Sequence, residues 1–256
     1  MALVTLTSDF GLKDYYAAAL KAALLSSCPL QNMVDISHEV SSCNIAEAAF
    51  TLRSVYQDFP LGTIHLVAVG SAMTQQHVLA FHKGHFFIGP DNGILSLVFN
   101  GQQPEMLLSL NTADMPGQTF PAKHIYAPIV CLLLDDEAPE SLGSPLDQLQ
   151  QRIELTPRLE ADRIKGHVIH VDHYGNLISN ISREDFEKVH ANRKYRITFE
   201  YERHTRVDEN YHSRDFGDCV AFFNSNNLLE IAINQGNASE LLGMKRESPV
   251  TIEFKN

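Results

Sequence analysis

Short apolar runs alternate with helical patterns along the first half of the chain. Leu3–Thr7 has the composition of a strand, and Tyr15–Ser27 is rich in alanine and leucine, as expected of a helix. Gly62 and Thr63 precede a continuous apolar strand, Ile64–Val69. Such strands, separated by helices, indicate a largely parallel sheet covered on both faces. The same pattern predicts strands at Val34–Ile36, Val78–Phe81 and Phe86–Ile88, a helix from Asn44 to about Tyr56, and a helix at Ile125–Leu134.

The composition changes between Pro139 and Ile164, where Pro, Gln, Glu and Arg become frequent. This change predicts a linker between an α/β N-terminal domain, residues 1–155, and a smaller β-rich, barrel-like C-terminal domain, residues 165–256. One helix is expected in the second domain, near Arg183–Val189. Its predicted strands are Gly166–Val171, Tyr195–Tyr201, Cys219–Phe223, Leu228–Asn234 and Val250–Phe254.

Composition narrows the class of protein. A formal charge of −11 argues against a nucleic-acid partner, because such binding depends on neutralising phosphates with Lys and Arg. No apolar run approaches the roughly 20 residues of a membrane span, and the first residues lack the features of a signal peptide. We therefore expect a cytoplasmic protein. The four scattered cysteines, Cys28, Cys43, Cys131 and Cys219, are then expected to be buried thiols.

The first candidate site residue, Asp9, comes directly after the first strand, in Thr7-Ser8-Asp9-Phe10-Gly11. In open α/β sheets ligands bind outside the carboxyl ends of strands, where an Asp can accept both hydroxyls of a ribose. Asp9 is equally suited to capping the helix or turn that follows. Both interpretations stay open on this pattern.

The second candidate segment, Val171–Asn176, opens the C-terminal domain. On an extended chain Asp172, Tyr174 and Asn176 point to the same side, where they suit an ammonium group, an adenine ring and its hydrogen-bonding edge. A tight turn with a packed tyrosine explains the same residues. Near the end, Gly236-Asn237-Ala238 forms a turn whose backbone can approach a planar ligand.

Seven blocks together resemble the S-adenosylmethionine hydroxide adenosyltransferases, which share a fold with the fluorinase and chlorinase. The resemblance covers essentially the whole chain. The blocks, in order, are TSDFG, DISHEV, FPLGTIHLVAV, PDNGIL, TF…IYAP, VDHYGNLISNI and NSNNLLEIAINQGNASELLG.

The resemblance implies a homotrimer that binds an adenosyl ligand between the N-domain of one subunit and the C-domain of the next. Asp9, in a block with Phe10, would hold the ribose hydroxyls, and Asp172 the methionine ammonium. The remaining implied contacts are Ser225 near the methionine carboxylate, Tyr174 stacked on adenine, Asn176 and the Ala238 backbone at the adenine edge, and Thr119 and Phe120 beside the reacting carbon.

The chain departs from this family where the hydrolases orient water with an Asp, an Arg and a His. Gly70 stands in place of the Asp and Pro121 in place of the His, while the Arg falls near His77. Positioning and general acid–base catalysis are each worth roughly 10²–10⁴-fold. The sequence therefore predicts binding of S-adenosylmethionine or adenosine, with hydrolysis to adenosine and methionine weak or lost.

Two alternatives keep catalysis. A different nucleophile is one, although Pro121 and Ala122 lack the hydroxyls that the fluorinase has at these positions. Residual hydrolysis through His77 or His124 is the other, if these are not ordinary surface or loop residues. Short spacings such as His82-x-x-His85, or His170 with Asp172, do not make a zinc pattern. No metal is expected, and no cofactor besides S-adenosylmethionine as substrate or ligand.

Overall fold

A computed structural model describes residues 3–28, 32–112 and 119–255. The chain forms two compact units, Met1–Ile153 and Glu154–Asn256. The first is an α/β unit and the second is built on antiparallel strands, which confirms the predicted fold class. In the described part of the chain, no helix has both the length and the apolar character needed to cross a membrane.

The first unit is built on a seven-stranded sheet with the order β2-β1-β3-β5-β4-β6-β7. Neighbours among β2, β1, β3 and β5 are parallel, whereas β4, β6 and β7 are added antiparallel. The central strand β3 is buried along its whole length and is apolar except for His65, as expected of a strand covered on both faces, whereas β2 at the end of the sheet is largely exposed. The strands are β1 (Leu3–Ser8), β2 (Asn32–Ser37), β3 (Ile64–Ala68), β4 (His77–His82), β5 (His85–Pro90), β6 (Met106–Leu110) and β7 (Gly143–Pro145).

Helices cover both faces of this sheet. Leu66 packs in the core under α1 and α4, while the next residue, Val67, packs in the core under α2 and α3. The Asn44 side chain caps α2 by accepting the Glu47 N–H at 3.2 Å, as its sequence pattern predicts. The helices are α1 (Tyr16–Ser27), α2 (Ile45–Arg53), α3 (Ile94–Val98) and α4 (Ala127–Leu134), the last preceded by a π-helical turn at Ala122–Tyr126.

The second unit is an antiparallel, nearly closed, barrel-like sheet. Its order is β12-β11-β15-β9-β10-β14-β13, with β8 paired to β9. Inward-facing residues form one core, and Ser182 caps α5 by accepting the Asp185 N–H at 3.0 Å. The elements are β8 (Arg158–Glu160), β9 (Arg163–Val171), β10 (Leu177–Ser182), α5 (Arg183–His190), β11 (Lys194–Phe199), β12 (Glu202–His204), β13 (Cys219–Phe223), β14 (Leu228–Ile233), α6 (Ala238–Leu242) and β15 (Pro249–Lys255).

Residues 139–164, predicted as a linker, contain ordered elements of both units. β7 extends the first sheet, and Leu149 is buried in the first unit's core. The Gln150 N–H donates to the Asp91 carboxylate at 2.8 Å. β8 belongs to the second unit. These short segments are held by backbone hydrogen bonds to a sheet edge, and composition carries little signal of such bonds.

Buried histidines occupy the first unit's core. His82 and His85 face each other across the β4–β5 hairpin, and both are buried. His85 Nδ1 lies 3.2 Å from His65 Nε2, and His65 Nδ1 lies 2.7 Å from the Thr5 hydroxyl. Burial and the neighbouring His85 lower the pKa of His65 to about 3, so this ring is neutral at physiological pH.

The expectation of four buried thiols is wrong. Cys28 and Cys131 form a disulfide with Cα atoms 5.7 Å apart, and Cys43 is an exposed thiol. Cys28 follows the last residue of α1 and Cys131 lies on α4, so the bond joins two helices on the same face of the sheet. The two residues are 103 positions apart, a separation that gives no pairing signal in the sequence.

The disulfide predicts a specific thiol count. Alkylation of the unfolded protein without reductant should modify two cysteines, Cys43 and Cys219, and all four after reduction. Intact mass spectrometry reads this directly. Cys28→Ser should lower the free energy of unfolding by about 2–4 kcal/mol, while Cys219→Ser is the matched control with a smaller effect. Four modified cysteines before reduction would contradict the disulfide.

Candidate functional site

Asp9 lies where three neighbouring parallel strands end. It follows β1, and its Oδ2 accepts the backbone N–H of Cys43 at 2.9 Å and of Gly70 at 3.1 Å. Those two residues lie beyond the ends of β2 and β3 and have φ values of 56° and 61°. The helix-capping interpretation of Asp9 is wrong, because α1 begins only at Tyr16 and has no side-chain cap.

A cleft of about 370 Å³ opens beside Asp9 in the first unit. Phe10, Tyr16 and Phe120 form an aromatic cluster on one wall, with ring centroids 5.4–5.9 Å apart. The structure thus brings together the first-unit binding residues predicted from sequence, Asp9, Phe10, Thr119 and Phe120. The other lining residues are Ser42, Cys43, Gly70, Ser71, Ala72, Met73 and Pro121.

Of the two interpretations left open for the second-unit segment from Asp172 to Asn176, the structure shows the tight turn and not the extended chain. The Asp172 Oδ1 accepts the backbone N–H groups of Tyr174 at 2.9 Å and Asn176 at 2.8 Å. Its Oδ2 accepts the Asn176 side-chain amide at 2.9 Å. Asp172 therefore orients Asn176. The packed tyrosine that accompanied the turn interpretation is not observed, since Tyr174 is 75% exposed in the chain.

Tyr174 and Asn176 nevertheless line one cleft, of about 620 Å³, in the second unit. Sequence reasoning missed Tyr211, whose hydroxyl donates to the buried Glu230 at 2.6 Å. Burial, together with Glu230, raises the pKa of Tyr211 above its usual range. A carboxylate on an apolar strand was the available signal, because buried charges require partners. The remaining lining residues are His212, Ile233, Asn234, Gln235, Gly236 and Asn237.

The two other predicted second-unit residues lie at different places. Ala238 is buried as the first residue of α6, directly after Gly236 and Asn237 in the cleft wall. The Asn237 side chain caps this helix by accepting the Glu240 N–H at 3.0 Å. Ser225 is exposed in the turn between β13 and β14 and does not line the cleft.

Both units match profiles of one protein family. The SAM hydroxide adenosyltransferase N-terminal domain matches residues 4–143, and the C-terminal domain of the same family matches residues 166–251. The chain belongs to the SAM hydroxide adenosyltransferase family.

Relatives span the full chain. It is 30% identical to an (R)-S-adenosyl-L-methionine hydrolase of Thermus thermophilus, covering 96% of this chain and 97% of that protein. A fluorinase of Nocardia brasiliensis is 25% identical, over 98% and 96% of the two chains. A crystal structure of an uncharacterized conserved protein from Thermotoga maritima superposes with a TM-score of 0.89 at 27% identity, covering 98% and 99%.

Two of the three positions predicted to have lost this family's hydrolytic groups lie in the first-unit cleft. Gly70 and Pro121 both line it. A Cβ on Gly70 would lie 3.5 Å from the Asn92 side-chain nitrogen and 3.9 Å from the Cys43 sulfur, which are ordinary contacts. A side chain is therefore sterically admissible at residue 70, although its left-handed backbone suits Asp or Asn better than most residues.

The two histidine candidates have different environments. His77 lies on β4, buried, with Nδ1 2.7 Å from the hydroxyl of the buried Tyr126. Burial lowers the pKa of His77, and the residue does not line the cleft. The interpretation of His77 as a surface or loop residue is therefore wrong. His124 is exposed on the π-helical turn, with its ring centroid 6.3 Å from that of Phe120.

Gly175 is required by the second-unit turn, which predicts the effect of a substitution. Its φ is 83°, and an added Cβ would lie 2.0 Å from the Asn237 side-chain oxygen. Gly217 has nearly the same φ, 84°, with no atom within 4 Å. Gly217→Ala should cost about 1–2 kcal/mol through backbone strain alone. Gly175→Ala should cost at least about 1 kcal/mol more, because Asn237 must move. Urea unfolding curves measure both, and equal costs would contradict the contact.

Proposed function

We propose that this protein binds S-adenosylmethionine or adenosine and that the hydrolysis attributed to its relatives is weak or lost in it. The observation that carries this proposal is the composition of the first-unit cleft. Asp9 is fixed by two backbone amides, and its Oδ1 makes no hydrogen bond to the described chain, so it is ready to accept a ribose hydroxyl. Gly70 and Pro121, in the same cleft, have no side-chain group that can polarise water.

The proposed ligand lies between the first unit of one subunit and the second unit of the next, in a homotrimer. Each cleft offers part of an adenosyl site: a carboxylate in one, and an aromatic face with the Asn176 amide in the other. Exposed apolar side chains beside both clefts support burial against another subunit. Tyr174, which lines the second-unit cleft, is 75% exposed, and Met73, which lines the first-unit cleft, is 80% exposed.

Hydrolysis at C5′ of the adenosyl group would require water to displace neutral methionine from its sulfonium. Water is a poor nucleophile, and a positioned general base typically contributes 10²–10⁴-fold. Among the described residues that line the first-unit cleft, Asp9 is the one carboxylate and there is no imidazole. In this proposal Asp9 binds the ribose hydroxyls. No carboxylate or imidazole among these residues is then left to act as the general base for water.

The alternative function is cleavage of S-adenosylmethionine at a rearranged site, with hydroxide or another nucleophile attacking C5′. The hydroxyls of Ser71 and Thr119 and the thiol of Cys43 favour it, because they line the cleft and are able to orient a small nucleophile. Rates distinguish the two functions.

Calorimetric titration tests binding. Adenosine should bind the wild type, and Asp9→Ala should weaken the affinity about tenfold or more, as expected for a lost hydrogen bond to a charged group. Asn176→Ala should also weaken it. Asp147→Ala, which removes an exposed first-unit carboxylate outside the cleft, is the control. No uptake of adenosine or S-adenosylmethionine at millimolar concentration would refute the proposal.

Chromatography of adenosine and methionine, with and without halide, tests turnover in the same samples. The wild type should be far slower than about 1 s⁻¹, a rate common among enzymes. The double variant Gly70→Asp/Pro121→His should hydrolyse S-adenosylmethionine faster than the wild type. Turnover near 1 s⁻¹ by the unmodified protein would establish the alternative function instead.

A further inference from the structure

His38 contacts the chain on both sides of Asp9. Its Nδ1 lies 2.7 Å from the Ser8 hydroxyl oxygen, and both residues are buried, with 4% and 1% of their surfaces exposed. The Ser8 oxygen in turn accepts the Phe10 N–H at 3.4 Å. The carbonyl of His38 accepts the Gly11 N–H at 2.7 Å. His38 is thus hydrogen-bonded directly to Ser8 and Gly11, and through the Ser8 hydroxyl to Phe10.

The partners of the ring determine which nitrogen carries the proton. Nε2 lies 3.1 Å from the Asp35 carboxylate, which only accepts hydrogen bonds when ionised. In the neutral ring Nε2 therefore holds the proton and Nδ1 accepts one from the Ser8 hydroxyl. The lone pairs of Ser8 remain free for the Phe10 N–H. Every group in this chain of hydrogen bonds has a consistent role.

Asp35 is itself held in place from α1. Partial burial would raise the pKa of Asp35, but the hydrogen bond and charge of Lys21, together with the contact with His38, outweigh this, and the pKa of Asp35 is lower than usual. Asp35 thus stays ionised at neutral pH and fixes the tautomer and plane of the His38 ring, a common arrangement for functional histidines.

The hydrogen-bonded side chains of Ser8, His38 and Asp35 also resemble a nucleophilic triad. Ser8 is 1% exposed, and it does not line the first-unit cleft. A nucleophile must reach the substrate carbon, so this serine is excluded from that role.

We propose that His38 is a positioning residue for Asp9: through Ser8 and its own carbonyl it fixes the turn that presents the Asp9 carboxylate. This inference rests on the proposed function, in which Asp9 binds the ribose. Cys43 and Gly70 orient the carboxylate from one side, while His38 holds the chain that carries it.

Two substitutions of the same histidine separate positioning from packing. The side-chain amide of His38→Asn lies near the place of Nδ1 and keeps the contact with Ser8. That of His38→Gln lies near the place of Nε2, keeping Asp35 and losing Ser8. We expect His38→Gln to weaken adenosine binding about tenfold and His38→Asn about threefold or less. Ser8→Ala should reproduce His38→Gln, and the double variant should be no weaker than either.

Hydrogen–deuterium exchange gives a readout without ligand. Peptides covering residues 8–15 should exchange faster in His38→Gln than in His38→Asn, while peptides from the second unit should not change. Equal loss of binding and protection in both variants would reduce His38 to packing and overturn the proposal, as would no loss in either. If the wild type binds no adenosine, the proposed function fails, and the exchange comparison alone decides whether His38 fixes the turn.

Discussion

The site depends on one interaction, the acceptance of two backbone N–H groups by the Asp9 carboxylate. The donors, Cys43 and Gly70, lie beyond the ends of β2 and β3, and Asp9 follows β1. One side chain therefore ties together the loops at three adjacent strand ends, where ligands bind in open α/β sheets. Both donors adopt a left-handed conformation, which brings their amides to the carboxylate.

Because these donors are backbone groups, the position of Asp9 is insensitive to the side chains at residues 43 and 70. The backbone N–H of Gly70 donates to Asp9, and an aspartate at position 70 would have the same N–H to donate. The ligand binding that we propose therefore does not depend on the groups that carry the chemistry attributed to the relatives. The second-unit turn is likewise held by groups that lie within it. The Asp172 carboxylate accepts the backbone N–H groups of Tyr174 and Asn176 and orients the Asn176 side chain.

Much of this was predictable from sequence because the signals are local. Continuous apolar runs such as Ile64–Ala68 indicate buried parallel strands, and Asn44 with Glu47 indicates a helix start. The features that the sequence did not predict depend on contacts between residues that are far apart in the sequence. The Cys28–Cys131 bond joins positions 103 residues apart, and β7 and β8 exist only as additions to sheet edges. Tyr211 lines the second-unit cleft and donates a hydrogen bond to Glu230, a contact that no spacing in the sequence reveals.

The most direct test of the account is a crystal structure of the protein grown with saturating adenosine. We predict ribose hydroxyls within hydrogen-bond distance of Asp9, and adenine against Tyr174 and Asn176 of a neighbouring subunit, with the nucleoside intact. Adenosine bound elsewhere, or a cleft beside Asp9 that contains only solvent, would contradict it.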